Sequence, residues 1–378
     1  MTWRDCRLGD VLTLKRGHDL PADSRHDGDV PVVSSSGITG YHSEAKASAP
    51  GVVTGRYGTL GEVFYLDQDY WPLNTALYVV DFKGTYPKFA AYFLRNVLRN
   101  YQSDKAAVPG VDRNVLHEIK VRAPGPKTQM KIASTLSAYD DLMENNRRRM
   151  GLLEEAARLL YQEWFVRLRF PGHEHARLTH GIPEGWERKS LATLCESIDY
   201  GYTASADQEE VGPKFLRITD IVPNFIDWPA VPHCPIEDDR LEKFRLREGD
   251  IVIARTGATV GYAKRLHKRH PGAVFASYLV RLRLKPEADN LMVGVFVESE
   301  DYKSYVRSRV GGAAQPNANA RVLAGAEILV PPPRIQRDFR EFVEPLIDQR
   351  EVLQWQNQKL RAARDLLLPR LMSGEIAV

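Results

Sequence analysis

Ile132, Leu136, Tyr139, Met143, Met150, Leu153, Ala157, Leu160 and Trp164 recur along residues 126–169 at alternating steps of four and three, and Asn146 fills the one remaining slot. That spacing sets all of these side chains on one stripe of an α-helix, a heptad seam. Asn146 reads as a seam residue that fixes register. At a rise of about 1.5 Å per residue, roughly forty helical residues form a rod on the order of 60 Å long, too long for an ordinary core helix. A rod with one apolar stripe needs a second helix to cover it.

The cover comes some two hundred residues later (~half the chain). Phe339, Val343, Leu346, Leu353, Asn357, Leu360, Leu367 and Leu371 repeat the stepping over residues 334–373, with Arg350 and Arg364 in two slots of the seam. Pro124, Pro126 and Gln129 ahead of the first rod correspond to Pro331, Pro333 and Gln336 ahead of the second at a constant offset. The chain therefore carries an internal repeat of about half its length. Pro345 lacks an amide hydrogen, so a break or a late start of the second rod is expected near it.

A chain of 378 residues divides into two domains or more, each with apolar residues enough for its own core. The formal net charge of +3 does not by itself require a polyanionic partner, so any such surface must be local. Cys6, Cys195 and Cys234 are far apart and form no C-x-x-C pair, which argues against a disulfide framework or a zinc site. No apolar run approaches about 18 residues, and the first residues have no signal-peptide profile. The expectation is a soluble cytoplasmic protein with no membrane contact.

Both halves follow one plan. In the first, Val30–Val33, Val52–Thr54, Glu62–Leu66 and Ala76–Val80 read as short strands between turn residues, and a helix follows near Lys88 to Tyr101. In the second, Trp186 echoes Trp3, Ile251–Gly257 repeats Val52–Gly58, Leu279–Leu282 answers Leu77–Val80, and Asp289 to Val310 reads as helical. The fold class is mixed α/β (α+β): two tandem domains, each followed by a long helix, the two helices packed as an antiparallel coiled coil. The expected boundaries are residues 1–126 for the first domain, 127–170 for its helix, 171–185 for a linker, 186–333 for the second domain, and 334–378 for the distal helix and tail. A common frame with loops of different length, notably between Ser205 and Arg247, suits one task performed on two targets.

Several enzyme classes are excluded on motifs. Gly257-Ala258-Thr259-Val260-Gly261 has no lysine to reach a nucleotide phosphate, and the chain has no Asn-Pro-Pro-Tyr string or glycine-rich methyl-donor loop. Glu118-Ile119-Lys120 has the form of the distal part of a nuclease metal motif, but no Pro-Asp precedes it, and its counterpart Glu327-Ile328-Leu329 has no lysine. His173, His175 and His180 fall in the linker without cysteine or helically spaced carboxylates, so no metal site is expected. No catalytic residue is assigned.

Basic and aromatic loop residues suit polyanion binding instead. Lys264, Arg265, Lys268 and Arg269 crowd the expected connection after Gly261, where they could neutralise several phosphates or form a solvated tip. Arg56 and Arg255 occupy equivalent R-x-G turns beside Tyr57 and Thr256, placed either to contact DNA or to brace the turn. Tyr200, Tyr202, Arg217 and Thr219, near the opening of the second module, are further candidates for groove contact.

Two strings then resemble a known family. Asn146-Arg147-Arg148-Arg149-Met150-Gly151-Leu152-Leu153-Glu154-Glu155-Ala156, continuing to Tyr161-Gln162-Glu163-Trp164-Phe165-Val166 and Arg169-Phe170-Pro171-Gly172-His173-Glu174, resembles the central conserved region of type I restriction-modification specificity subunits. Arg364-Asp365-Leu366-Leu367-Leu368-Pro369-Arg370-Leu371-Met372-Ser373-Gly374-Glu375-Ile376 is similar to that family's distal conserved region. The resemblance implies that each mixed domain is a target-recognition domain reading one half of a bipartite, asymmetric site in double-stranded DNA. The helices would set the half-site centres about one duplex turn, roughly 10 base pairs, apart. It further implies docking of two methyltransferase subunits, which bring S-adenosylmethionine and adenine N6 chemistry, and of restriction translocase-nuclease subunits using ATP and Mg. The chain itself would hold no cofactor and perform no chemistry. Two other readings stay open on residues alone: a helical scaffold or adaptor that reads no DNA, and a nuclease acting through Glu118.

Overall fold

A computed structural model describes residues 3–56, 61–99, 101, 112–311 and 316–378. The chain forms two compact units, Met1–Asn145 with Asn357–Val378, and Asn146–Gln356.

The first unit opens with β1 (Trp3–Arg7), β2 (Thr13–Arg16), β3 (Val30–Ser34), β4 (Gly37–His42), β5 (Gly51–Gly55), β6 (Val63–Leu66), β7 (Trp71–Pro72) and β8 (Ala76–Asp81). Helices α1 (Pro87–Arg99) and α2 (Arg113–Glu118) follow, then β9 (Lys120–Pro124) and the long α3 (Pro126–Tyr161). An antiparallel sheet runs β2-β8-β5-β6, while a second runs β4-β3-β7 with β3 parallel to β7. Phe89, Phe93 and Leu94 of α1 fill the core with Leu14, Val52 and Leu77 of the first sheet. β1 pairs with β9 from Trp3 opposite Pro124 to Arg7 opposite Lys120, which fastens the start of this domain to the strand that leads into α3.

The second unit continues with a small hairpin, β10 (Leu178–Thr179) and β11 (Ile182–Pro183), then β12 (Glu187–Ser190), α4 (Leu191–Leu194), β13 (Cys195–Tyr200), β14 (Lys214–Leu216), α5 (Ile218–Ile221) and α6 (Asp238–Phe244). Next come β15 (Ile251–Ala254), β16 (Ala263–Arg265), β17 (Ala273–Phe275), β18 (Leu279–Leu284), α7 (Asn290–Val297), α8 (Glu300–Arg309), α9 (Ala320–Ala324), β19 (Glu327–Val330) and the long α10 (Pro333–Ser373). The sheet topology of the first unit returns among the described residues, except that β4 has no counterpart. Sheet β13-β18-β15-β16 matches β2-β8-β5-β6, the parallel pair β14/β17 matches β3/β7, and the antiparallel pair β12/β19 matches β1/β9.

The stretch from Asp289 to Val310 is helical, as its sequence reads, but divides into two helices. The Asp289 carboxylate caps α7, and Ser299 starts a new helix by accepting a hydrogen bond from the Tyr302 amide. A side-chain cap satisfies amides that a continuous helix would have bonded internally, so the chain turns there.

Each unit takes one segment of α3 and one of α10. In the first, Ile132, Ala133 and Leu136 pack into one core with Leu368, Leu371 and Met372. Farther along, the Asn357 side chain donates to the Met143 carbonyl at 3.1 Å, and Arg364 bonds Asp140. In the second, Phe339 packs against Tyr161, Trp164 and Phe165, with ring centroids 6.2, 5.7 and 4.8 Å apart. Residue numbers rise on one helix as they fall on the other, so the packing is antiparallel. Asn146, Met143, Met150, Trp164 and Leu353 are buried, while Leu153, Leu160, Leu346, Leu360 and Leu367 are half-buried.

Pro345 does not break α10, which runs unbroken from Pro333 to Ser373. Pro345 and Glu341 are both exposed, so the Glu341 carbonyl that loses its helical donor faces water. Among the described residues no helix is long and apolar enough to cross a membrane.

Candidate nucleic-acid interface

One end of the four-stranded sheet gathers the chemistry in each unit. In the second unit, Tyr200 is the last residue of β13, opposite Val280, and Arg255 follows directly after β15. The Arg255 amide donates to the Tyr278 carbonyl at 3.0 Å, which ties the three strand ends together. The Arg255 guanidinium lies 4.8 Å over the Tyr200 ring. Its Nη2 donates to Asn317 Oδ1 at 3.4 Å, and Thr256 bridges Asn317 through the backbone. The Ala320 amide, at the head of α9, donates to the Tyr200 hydroxyl at 3.0 Å. Tyr200 and Tyr278 are 42% and 61% exposed, an unusual outlay of aromatic surface.

Gly201 makes this geometry possible. A Cβ there would fall 2.2 Å from the Ala276 carbonyl oxygen, so no other residue lets the two backbones pass so closely. Beyond it, the Tyr202 amide donates to the Phe275 carbonyl at 2.7 Å, and its ring packs 5.1 Å from Phe244.

The first unit repeats this frame with other side chains. Arg16 ends β2 opposite Leu77, and a Cβ on Gly17 would again fall 2.2 Å from a carbonyl oxygen, that of Leu73. The His18 amide donates to the Pro72 carbonyl at 2.8 Å, and the Arg56 amide donates to the Thr75 carbonyl at 3.0 Å. Lys46 sits 4.9 Å over the Trp71 ring. Burial above all, with a smaller contribution from Lys15 and Lys46 nearby, lowers the His18 pKa. Arg16-Gly17-His18 thus stands where the other unit has Tyr200-Gly201-Tyr202. Cations in one and aromatics in the other occupy the same frame.

The remaining candidates are placed differently. Tyr57 lies outside the described residues. Arg217 is engaged with Asp220, Nε to Oδ2 and Nη2 to Oδ1 both at 3.0 Å, and Thr219 is exposed on α5. The sequence puts Lys264, Arg265, Lys268 and Arg269 in a free loop, but Lys264 and Arg265 form part of β16. Lys264 donates to the Asn224 carbonyl at 2.8 Å and sits 3.6 Å from Glu298; the Arg265 amide donates to Glu298 at 3.0 Å. Lys268 pairs with Asp348 at 2.9 Å, and Arg269 is exposed. Two charged residues on a three-residue strand carry no apolar alternation, so the sequence looked like a turn.

That segment also fastens the second domain to α10. Buried His267 and half-buried His270 bond Asp348 at 2.7 Å and Glu351 at 3.1 Å. Burial works against the ionised Glu351, yet the His270 hydrogen bond and the field of Arg350 outweigh it and hold the carboxyl at about 2. Its contribution to stability is therefore complete above its ordinary value of 4.5 and is lost as pH falls through about 2. Urea midpoints measured from pH 7 to pH 2 should drop over that window, and Glu351→Gln should flatten the drop while lowering stability at pH 7; an unchanged acid limb in the variant would contradict the assignment.

The residues that sequence reasoning passed over are Arg16, Gly17, His18, Gly201, Tyr278 and Asn317. The available signal was x-Gly-aromatic, Arg16-Gly17-His18 against Tyr200-Gly201-Tyr202, at equal distances from Trp3 and Trp186 to within one residue. Among the described residues, no three His, Cys, Asp or Glu side chains are grouped to hold a metal ion.

Comparison with known proteins gives a consistent picture. Residues 1–155 match the family model described as the type I restriction modification DNA specificity domain. Over 305 residues the chain is 24% identical to the type I restriction enzyme MjaIX specificity subunit of Methanocaldococcus jannaschii, covering 73% of this chain and 65% of that protein. It therefore spans just under two thirds of that relative's length. It is 19% identical to the HindI specificity subunit of Haemophilus influenzae, covering 73% of each. Its fold is similar to the crystal structure of the type I restriction-modification S subunit from M. genitalium, with a TM-score of 0.59, 15% identity, and 98% and 96% of the two chains covered.

Proposed function

We propose that the chain belongs to the type I restriction-modification DNA specificity family and selects the DNA sequence on which a modification and restriction complex acts. Residues 1–126 and 186–333 are the two target-recognition domains, each reading one half of a bipartite, asymmetric site in double-stranded DNA. The observation that carries this reading is the repeated sheet end. Two copies of one backbone frame, each held open by a glycine, present cations in one case and aromatics with a single arginine in the other. Identical frames with different side chains suit two different targets.

α3 and α10 set the gap between the half-sites and dock two methyltransferase subunits. Adenine N6 methylation, with its S-adenosylmethionine, belongs to those subunits, and ATP and Mg belong to the restriction subunit. The chain contributes recognition and no catalysis, and the complex works in the cytoplasm.

The deciding experiment co-expresses the chain with its methyltransferase in a methylation-free host and maps N6-methyladenine by long-read sequencing. One split motif with an adenine modified in each half is expected. Absence of methylation, from a methyltransferase active with another specificity protein, would sink the proposal.

The basic frame of the first unit also sets the salt dependence of binding. Lys15→Ala and Lys46→Ala should each lower the slope of log K against log salt by roughly 0.9 if each lysine meets one phosphate. Slopes equal to wild type in a titration from about 50 to about 200 mM salt would remove these lysines from the interface.

A further inference from the structure

We infer that Arg255 reads a guanine in the half-site of the second domain, an assignment that rests on the function proposed above. Two contacts orient its guanidinium and a third anchors its backbone. Tyr200 lies under its face at 4.8 Å, Asn317 holds Nη2 at 3.4 Å, and its own backbone is tied to Tyr278 at 3.0 Å. Tyr200 is itself held, through its hydroxyl, by the amide of Ala320.

The same guanidinium is poorly satisfied. Its Nε is buried without a partner, and the bond to Asn317 is long. A buried donor left unpaired costs free energy, and native proteins keep few of them. Nε itself is closed off, but Nη2 has only the long bond to Asn317 and Nη1 has none among the described residues, so the outer pair of the fork keeps donors for a ligand's acceptors. The planar fork of arginine matches two acceptors on one edge, and in the major groove O6 and N7 of guanine present that pair.

Base reading fits better than a phosphate contact. A phosphate needs a charge nearby and little orientation, whereas this side chain is oriented by stacking and by hydrogen bonding, so little rotamer freedom remains to be lost on binding. Its surroundings are tyrosine and asparagine, and Tyr278, whose carbonyl holds the Arg255 amide, leaves its side chain exposed to cover a base step. The equivalent turn of the first unit carries Arg56, but there the neighbouring strand end offers Arg16 where Tyr200 stands here.

The test selects bound duplexes from a randomised pool with the full-length chain co-purified with its methyltransferase, comparing wild type, Arg255→Lys and Arg255→Gln. Wild type is expected to demand guanine at one position of one half-site. Both variants should lose that preference by roughly 5- to 150-fold and keep every position of the other half-site, with the salt slope of Arg255→Gln unchanged. Arg255→Lys keeps the charge and stem, and an intact first half-site reports an intact fold. A uniform loss of affinity with a slope smaller by about 0.9 would make Arg255 a phosphate contact and overturn the inference, as would an unchanged motif. A wild-type complex that selects no motif at all would overturn the parent function, an outcome distinct from both.

Discussion

Phe339→Ala should destabilise the second unit by about 3–5 kcal/mol, the range for emptying a buried aromatic site. Phe339 is fully buried, with Tyr161, Trp164 and Phe165 around it, the last two at 5.7 and 4.8 Å. The surrounding rings belong to the end of α3 and the turn of helix, Gln162–Val166, that directly follows it, so little can collapse into the space without moving that helix. A domain's whole stability is commonly about 5–15 kcal/mol, and such a loss would bring the unit close to unfolding at ambient temperature. Tryptophan emission in urea follows the event directly, since Trp164 and Trp186 lie in this cluster. Leu152→Ala, at a position of the same unit that is 66% exposed, is the control and should change stability by no more than about 0.5 kcal/mol. A midpoint for Phe339→Ala close to that of the control would mean that the aromatic cluster contributes far less than its burial implies.

Gly17→Ala and Gly201→Ala should each abolish recognition of one half-site and leave the other intact. A methyl group at either position would meet a carbonyl oxygen at 2.2 Å, and backbone cannot yield as a long side chain can. Relief requires the strand end to move away from residues 73 or 276. That movement carries off Arg16 and His18 in one unit and Tyr200 and Tyr202 in the other, and a displacement of about an ångström suffices to spoil a positioned constellation. The expected result is asymmetric: relaxed sequence demand in the first half of the motif for Gly17→Ala and in the second for Gly201→Ala, read from the methylation map of each variant. Loss of both halves by either substitution would show that the units do not read independently.

The heptad stepping disclosed the two long helices because a single apolar stripe sustained over about forty residues suits no strand or loop. It was less exact about which neighbour faces inward. Ile347 and Leu368 are buried where the stepping placed Leu346 and Leu367, which are half-buried. A helix of 3.6 residues per turn drifts by about 20° per heptad from a strict seven-residue repeat, enough to trade one adjacent residue for another. Pro345 misled because its cost depends on whether the abandoned carbonyl meets water, which only the structure reveals. In the candidate interface, Arg56 and Arg255 could be matched through their R-x-G turns. The glycines of the sheet ends can be paired through their x-Gly-aromatic strings, but the reason for glycine cannot be read there, since the close carbonyls at Leu73 and Ala276 lie far away along the sequence.

The first unit takes its last piece from the far end of the sequence. Leu368, Leu371 and Met372 complete the core in which Leu14, Phe89 and Leu136 lie, and Gly374 packs on the ring of Trp3. A ribosome delivers those residues only after all of Asn146–Gln356, so the part made first cannot be sealed first. Until then the N-terminal domain holds open an apolar face that chaperones or other nascent chains can occupy. A nonsense mutation near residue 357 would consequently damage the beginning of the protein, while the unit just ahead of the stop keeps every segment it needs.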